Sequence, residues 1–259
     1  MASTGPTETT LEQAKMMNLP NEQQLLSDDN NVMYGRVRLA TEADVPFVNK
    51  LIHKMAEYYD LVSECEANET SLHTALFNSS SKENPFGCTV SVFLLEVSPT
   101  TLPPINQNYL NNKEINPDPI YKTINLNHLI NDPEESLFCT EKGTIIAGFV
   151  IFFPSYSTFL TKPGIHMEDL FIRKGYRSMG FGKMLMKSVA NLTVKLGYAR
   201  IEWTVVTWNV DSHKFYEKTG ARILQDWRIF RLDGDSLLSY SQLIDQIPNA
   251  VEELPNKIN

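Results

Sequence analysis

The stretch Met167-Glu168-Asp169-Leu170-Phe171-Ile172-Arg173-Lys174-Gly175-Tyr176-Arg177-Ser178-Met179-Gly180-Phe181-Gly182-Lys183 decides how this chain reads. A strand over Ile165–Ile172 runs into a glycine-containing turn, and the turn opens a helix over Gly180–Leu196. Leu185, Val189, Leu192 and Leu196 recur at helical spacing, and Gly197 is placed to end the helix. A helix start leaves N–H groups unsatisfied and carries partial positive charge. Glycine lets the backbone approach a ligand closely. A pyrophosphate suits such a turn, and Arg177 and Lys183 add charge for phosphates. The turn is neither of two better-known phosphate loops. A Rossmann fingerprint would need another glycine where Leu185 stands, and a Walker A loop would need Ser or Thr where Met184 stands. On this stretch alone, glycines that only make a turn are an equally open reading.

Working outward, Val37 and Leu39 alternate with Arg36 and Arg38 as in a short strand. Thr41-Glu42-Ala43-Asp44 fits a helix start, and Val45, Val48, Leu51, Ile52 and Met55 then share one helical face. A second helix is expected over Ala67–Phe77 and a strand over Thr89–Val97. Residues 98–135 hold six prolines and many Asn, and read as an insertion with one extended piece, Tyr121–Leu126. Beyond it, Gly143–Phe153 reads as a buried strand, Ala199–Thr207 as a strand and Val210–Lys218 as a short helix. Ala221–Leu232 is expected to be a final strand, with a helical turn around Leu237–Ile244. Residues 1–33 read as a disordered N-terminal tail, 34–240 as a single domain carrying the insertion, and 241–259 as a C-terminal tail.

Composition narrows the function. The 259 residues hold 42% hydrophobic and 21% charged residues, as a globular chain does. No apolar run reaches the roughly 18 residues that span a bilayer. Met1–Pro20 lacks a basic start followed by an apolar stretch, so no secretory leader is expected. Lys plus Arg number 23 against 31 Asp plus Glu, a formal charge of −8, which argues against a nucleic-acid footprint. Three scattered cysteines, Cys65, Cys88 and Cys139, make neither a zinc pattern nor a disulfide framework, so a reducing, cytoplasmic setting is expected. No His/Cys/Asp cluster has metal spacing, so no metal is expected.

Arg177-Ser178-Met179-Gly180-Phe181-Gly182 resembles the acyl-CoA pyrophosphate loop of the GNAT superfamily of N-acyltransferases. Asn209 and Tyr216, within Trp208-Asn209-Val210-Asp211-Ser212-His213-Lys214-Phe215-Tyr216-Glu217-Lys218-Thr219-Gly220-Ala221, resemble that family's Asn…Phe-Tyr-x-x-x-Gly segment. The likeness spans about Val37 to Leu232. Glu168-Asp169, Trp208-Asn209, Phe215-Tyr216 and Trp227-Arg228 resemble spermidine/spermine N-acetyltransferases. The whole chain, insertion included, is similar to the plant group of ornithine and diamine N-acetyltransferases and tyramine N-hydroxycinnamoyltransferases. The likeness implies an α/β (α+β) fold: a mixed, mostly antiparallel central sheet with helices on both faces. It also implies acetyl-CoA as cosubstrate, a small cationic di- or polyamine or ornithine as acceptor, and a homodimer.

An amine attacks a thioester only as the free base, so its proton needs a route. Glu168 and Asp169 are the candidates, Glu168 as base (directly or through a water) and Asp169 as anchor for a distal ammonium. Neighbours on a strand point to opposite faces, so both reach one cleft only if the strand bulges or splays. Such a splay is a feature the resemblance implies. Main-chain N–H groups of Leu170, Phe171 or Ile172 would then be free to hold the thioester oxygen. The turn from Arg177 through Lys183 would take the pyrophosphate. Tyr216 is expected to protonate the departing thiolate and to touch the acyl-CoA. Asn209 fits both a helix N-cap and a ligand to pantetheine. Trp227 is either a slot for the substrate's aliphatic part or plain packing. With no cysteine among these motifs, direct transfer in a ternary complex is expected. Rival expectations are a hydroxycinnamoyl-CoA:tyramine acyltransferase, a protein acetyltransferase, and a CoA-binding module without turnover.

Overall fold

The computed structural model of the chain describes residues 31–77, 90–105 and 117–243. The expected tails, over 1–33 and 241–259, fall largely outside these residues. The chain divides into two compact units, Met1–Val206 and Thr207–Asn259. The division falls inside the 34–240 stretch that the sequence groups together.

The first unit is built on six strands: β1 (Val32–Leu39), β2 (Ser91–Ser98), β3 (Ile120–Asn125), β4 (Ile145–Ser157), β5 (Lys162–Ile172) and β6 (Ile201–Trp203). They lie in the order β3-β1-β2-β4-β5-β6. Every pairing is antiparallel except β5 with β6. Helices α1 (Val45–Tyr59), α2 (Glu69–Phe77) and α3 (Phe181–Lys195) complete this unit. Strand β1 takes up Val32 and Met33, which the sequence assigns to the tail, because β3 pairs with both.

The strands read as apolar runs because both faces of the sheet are covered. Val92 through Val97 and Ile145 through Phe152 are buried without a break. Gly35 of β1 sits under Phe181 of α3; an added Cβ would fall 2.6 Å from the Phe181 ring. Gly35 pairs with Val97, whereas Phe149 pairs with Leu94, three residues from Val97 on β2. An odd step changes face, so Phe149 faces away from α3. Phe171 neighbours Phe149, and Tyr58 of α1 lies against Phe171. Helices α1 and α3 therefore cover opposite faces, as expected.

The helix start at Thr41 forms as read. Thr41 N–H and Oγ1 both donate to Asp44 Oδ2 at 2.8 Å. Val45, Val48 and Leu51 are buried along α1. The Pro-rich insertion contributes more than an extended piece, because Ile120–Asn125 hydrogen-bonds along β1 as a sixth strand. The expected strand Ala221–Leu232 does not form. The Trp227 N–H donates to the Leu224 carbonyl at 3.3 Å, closing a turn inside the stretch. Strand Ala199–Thr207 shrinks to β6, three residues long. The second unit holds α4 (Val210–Glu217) and α5 (Gly234–Leu243).

Charge is buried where β1 meets β2. Glu96 accepts from Arg36 and from Arg38 Nε, and Thr144 donates to its other oxygen at 2.6 Å. Burial alone would push the Glu96 carboxyl up, but Arg38, Thr144 and Arg36 together hold it below the ordinary carboxylate range. A group lowered in this way stabilises the fold above its unfolded pKa and loses that effect as pH falls through its folded value. Glu96→Gln leaves two buried guanidinium groups poorly matched and should cost about 3–5 kcal/mol in urea denaturation at pH 7. The gap from wild type should narrow as the pH is taken into acid, and a constant gap would show that the pairing is not the source.

Candidate active site

The register of β5 against β4 breaks at one place. Asp169 faces Ile151 and Met167 faces Phe152, so Glu168 is an extra residue on β5. Such a bulge re-aims side chains and interrupts the alternation that would otherwise separate two neighbours. Of the two conditions read from sequence, a bulge or a splay, the bulge is present here. Glu168 is exposed at 57%, with Oε2 3.6 Å from His166 Nε2. Asp169 is half-buried, and its carboxyl is pushed up to about 6, first by burial and then by the charge of Glu168.

The strand on the other side of β5 ends at the same point. Strand β6 pairs only with Ile165, His166 and Met167. From Glu168 to Ile172 no described strand pairs with that edge. The Arg173 N–H donates to Ala147 on β4. Alternation then turns the N–H groups of Leu170 and Ile172 to the free edge and that of Phe171 toward β4. Of the three candidate thioester-oxygen donors, Leu170 and Ile172 face the open side.

The turn after β5 is held from several directions. A single 3-10 turn, Lys174–Tyr176, follows the strand. Arg173 is buried against the face of Phe138, 3.8 Å from its centroid, and pairs with Asp132. The Tyr176 hydroxyl donates to the same carboxylate at 2.9 Å. Arg177 donates from Nε to the Ile172 carbonyl at 2.8 Å and lies over the rings of Tyr58 and Phe171. Its position is thus tied to the free edge of β5. Ser178 and Gly180 both take positive φ, 63° and 79°. Backbone that alternates left- and right-handed residues can form a cradle for anions, and two left-handed residues in this turn fit that pattern. No side chain caps α3, and Lys183 is exposed on its first turn. Phe181 is buried, so its side chain is an anchor in the core and only its backbone can serve a ligand.

In the second unit, Asn209 caps α4, accepting from the Ser212 N–H at 3.2 Å through Oδ1. Its Nδ2 donors are not used by that bond. Phe215 and Tyr216 meet edge to face, centroids 5.0 Å apart. Trp227 is 71% exposed. Sequence reasoning missed Lys122, Asp132 and Tyr58, which the fold brings to the turn. Lys122 donates to the Met179 carbonyl at 2.8 Å. All three lie far from the motif in sequence, and nothing local to them signals a site. Among the described residues, no group of three or more His, Cys, Asp or Glu could hold a metal ion. No helix among them is long and apolar enough to cross a membrane.

A bulged strand with an open edge, an uncapped glycine turn and a mostly antiparallel six-stranded sheet make the frame of the site. The chain belongs to the Acetyltransferase (GNAT) family, whose profile matches residues 104–221. It is 42% identical over 228 residues to an L-ornithine N5-acetyltransferase, NATA1, of Arabidopsis thaliana, covering 86% of this chain and 95% of that one. It is 35% identical over 215 residues to tyramine N-feruloyltransferase 4/11 of Nicotiana tabacum, covering 81% and 92%. A thialysine N-epsilon-acetyltransferase of Sus scrofa is 25% identical over 78% of this chain and 94% of its own. An integron cassette protein from the mobile metagenome of V. cholerae shares the fold, with a TM-score of 0.51 and 16% identity over 80% of this chain and 98% of that one. The protein is an acyl-CoA-dependent N-acyltransferase. Its turn suits that cosubstrate, with a glycine at the N-cap of α3 and no side-chain cap hydrogen bond there.

The raised carboxyl of Asp169 has a consequence for stability. Its folded pKa lies above the ordinary 3.8, so ionisation penalises the fold as pH rises through that value, and the penalty is complete above about 6. Asp169→Asn should therefore melt at a higher temperature than wild type at pH 8. The advantage should fade toward about pH 4, where wild type is also protonated. Equal melting temperatures at pH 8 would show that the carboxylate is not desolvated.

Proposed function

We propose that the enzyme transfers an acetyl group from acetyl-CoA to a primary amine of ornithine or of a small aliphatic diamine or polyamine. The observation that carries this reading is the carboxylate pair at the bulge, Glu168 and Asp169, beside the free edge of β5. Two adjacent carboxylates attract a substrate bearing more than one ammonium. One of them must also take a proton before the amine can attack.

Their unequal burial supports a division of labour opposite to the one read from sequence. A base works best with a pKa near the working pH, and Asp169 at about 6 is close to it. Asp169 is the proton acceptor in this proposal, and exposed Glu168 meets the distal ammonium. The N–H groups of Leu170 and Ile172 hold the thioester oxygen as negative charge develops there. Tyr216 returns a proton to the departing thiolate, and Asn209 serves the pantetheine arm through Nδ2. Transfer is direct, in a ternary complex, because neither the bulge nor the glycine turn supplies a thiol nucleophile.

The identity to tyramine N-feruloyltransferases supports a second reading, with hydroxycinnamoyl-CoA and tyramine. Thiol release from acetyl-CoA and from feruloyl-CoA, each against ornithine, putrescine, 1,3-diaminopropane, spermidine and tyramine, separates the two. Turnover is expected with acetyl-CoA and an aliphatic amine, and a preference for feruloyl-CoA with tyramine would replace the substrate reading. In the pH profile of kcat/KM, Asp169→Asn should abolish an acid limb near pH 6 that Glu168→Gln retains but moves to lower pH, since the Glu168 charge helps raise Asp169. The reverse result would restore Glu168 as base. Tyr216→Phe should lower kcat by about 10²-fold or more while CoA binding holds, and an unchanged kcat would remove its acid role.

A further inference from the structure

The insertion has a strand in the sheet, and that strand ends its reach at the cosubstrate turn. Lys122 lies on β3 directly opposite Gly35 of β1. Because Gly35 has no side chain, Phe181 settles on β1 and draws the first turn of α3 toward the sheet edge. The Lys122 ammonium reaches that turn and donates to the Met179 carbonyl at 2.8 Å. It also lies so close to Gly180 that a Cβ there would overlap Nζ. An ammonium has three donors, and the Met179 carbonyl takes one. Arg177, the cation that the sequence assigns to phosphate, has its Nε on Ile172 and its plane over two rings.

We propose that Lys122 is a ligand to the pyrophosphate of the acyl-CoA, so that the insertion completes the cosubstrate site of this enzyme. The proposal rests on the acyl-CoA reading of the turn. Among the described residues, Nζ keeps two further donors beside the Ser178–Gly180 turn, and the positive end of α3 adds to the same field. The Met179 carbonyl fixes the ammonium in place before any anion arrives. A charge-assisted hydrogen bond to phosphate then costs little reorganisation.

Three variants separate a phosphate ligand from a structural prop. Lys122→Gln keeps a donor for the Met179 carbonyl but has no charge, Lys122→Met keeps only the stem, and Lys122→Arg keeps the charge. Calorimetric titration with CoA, dephospho-CoA and pantetheine reads binding without relying on turnover. Lys122→Gln and Lys122→Met should each weaken CoA about tenfold, with the same loss for dephospho-CoA and none for pantetheine. Lys122→Arg should recover most of the affinity. In steady state the loss should fall on KM for the acyl donor, with KM for the amine within about twofold. Wild-type affinity in Lys122→Gln would overturn the proposal, and so would an equal loss for pantetheine or a loss absent with dephospho-CoA. Failure of wild type itself to bind CoA would instead overturn the acyl-CoA reading.

Discussion

Strand β5 does two incompatible things along one run of eleven residues, and the site exists because of the change between them. Up to Met167 it is an interior strand, held by β4 on one side and β6 on the other. At Glu168 it takes an extra residue against β4 and loses its described partner on the other side. The bulge collects two acidic side chains that regular pleating would divide between faces. The lost partner leaves main-chain donors on an edge, next to a turn that opens α3. The carboxylate pair and the edge donors both follow from that one interruption in the ladder.

The same geometry sets the electrostatics. A carboxylate exposed at the crest of a bulge stays hydrated, while its neighbour is turned under cover and pays for ionising there. Glu168 and Asp169 are one methylene apart in chemistry and adjacent in sequence, yet burial makes one a surface charge and the other a group poised near neutrality. The contrast with Glu96 is instructive. Glu96 is more deeply buried than Asp169, but two arginines and a threonine hold it ionised, and it serves structure. Among the described residues no ion pair reaches Asp169, and the adjacent charge of Glu168 has the same sign.

The insertion belongs to the working part of the molecule. Its strand β3 lengthens the sheet beyond β1, and its C-terminal end supplies Asp132 to Arg173 and Tyr176. Both contacts converge on the short path from β5 to α3. Gly175 on that path sits where a Cβ would come 3.0 Å from the Asn131 carbonyl, so the insertion runs tight against the turn. The backbone of the turn carries two left-handed residues, one of them Ser178, and such conformations persist where the surroundings hold them.

By itself the sequence determined the family, the strand–turn–helix, the capped start of α1 and the list of chemical groups. Those features are local: glycines at set spacing, an apolar period, a Thr three residues from an Asp. It also stated the condition for the carboxylate pair to work, namely that the strand must bulge. Only the tertiary structure decided that Glu168 is the extra residue, that Asp169 is the covered carboxyl, and that Leu170 and Ile172 offer the free N–H groups. Register and burial depend on the partner strand and on helices packed from elsewhere, which a single run of residues does not encode. The misread strand at Ala221–Leu232 has the same origin, since β-propensity describes a surface that fits a sheet and not the sheet edge itself. Lys122, Asp132 and Tyr58 were silent for a further reason. Each is an ordinary residue until the fold carries it across 40 residues or more to the turn, and no spacing rule reaches that far.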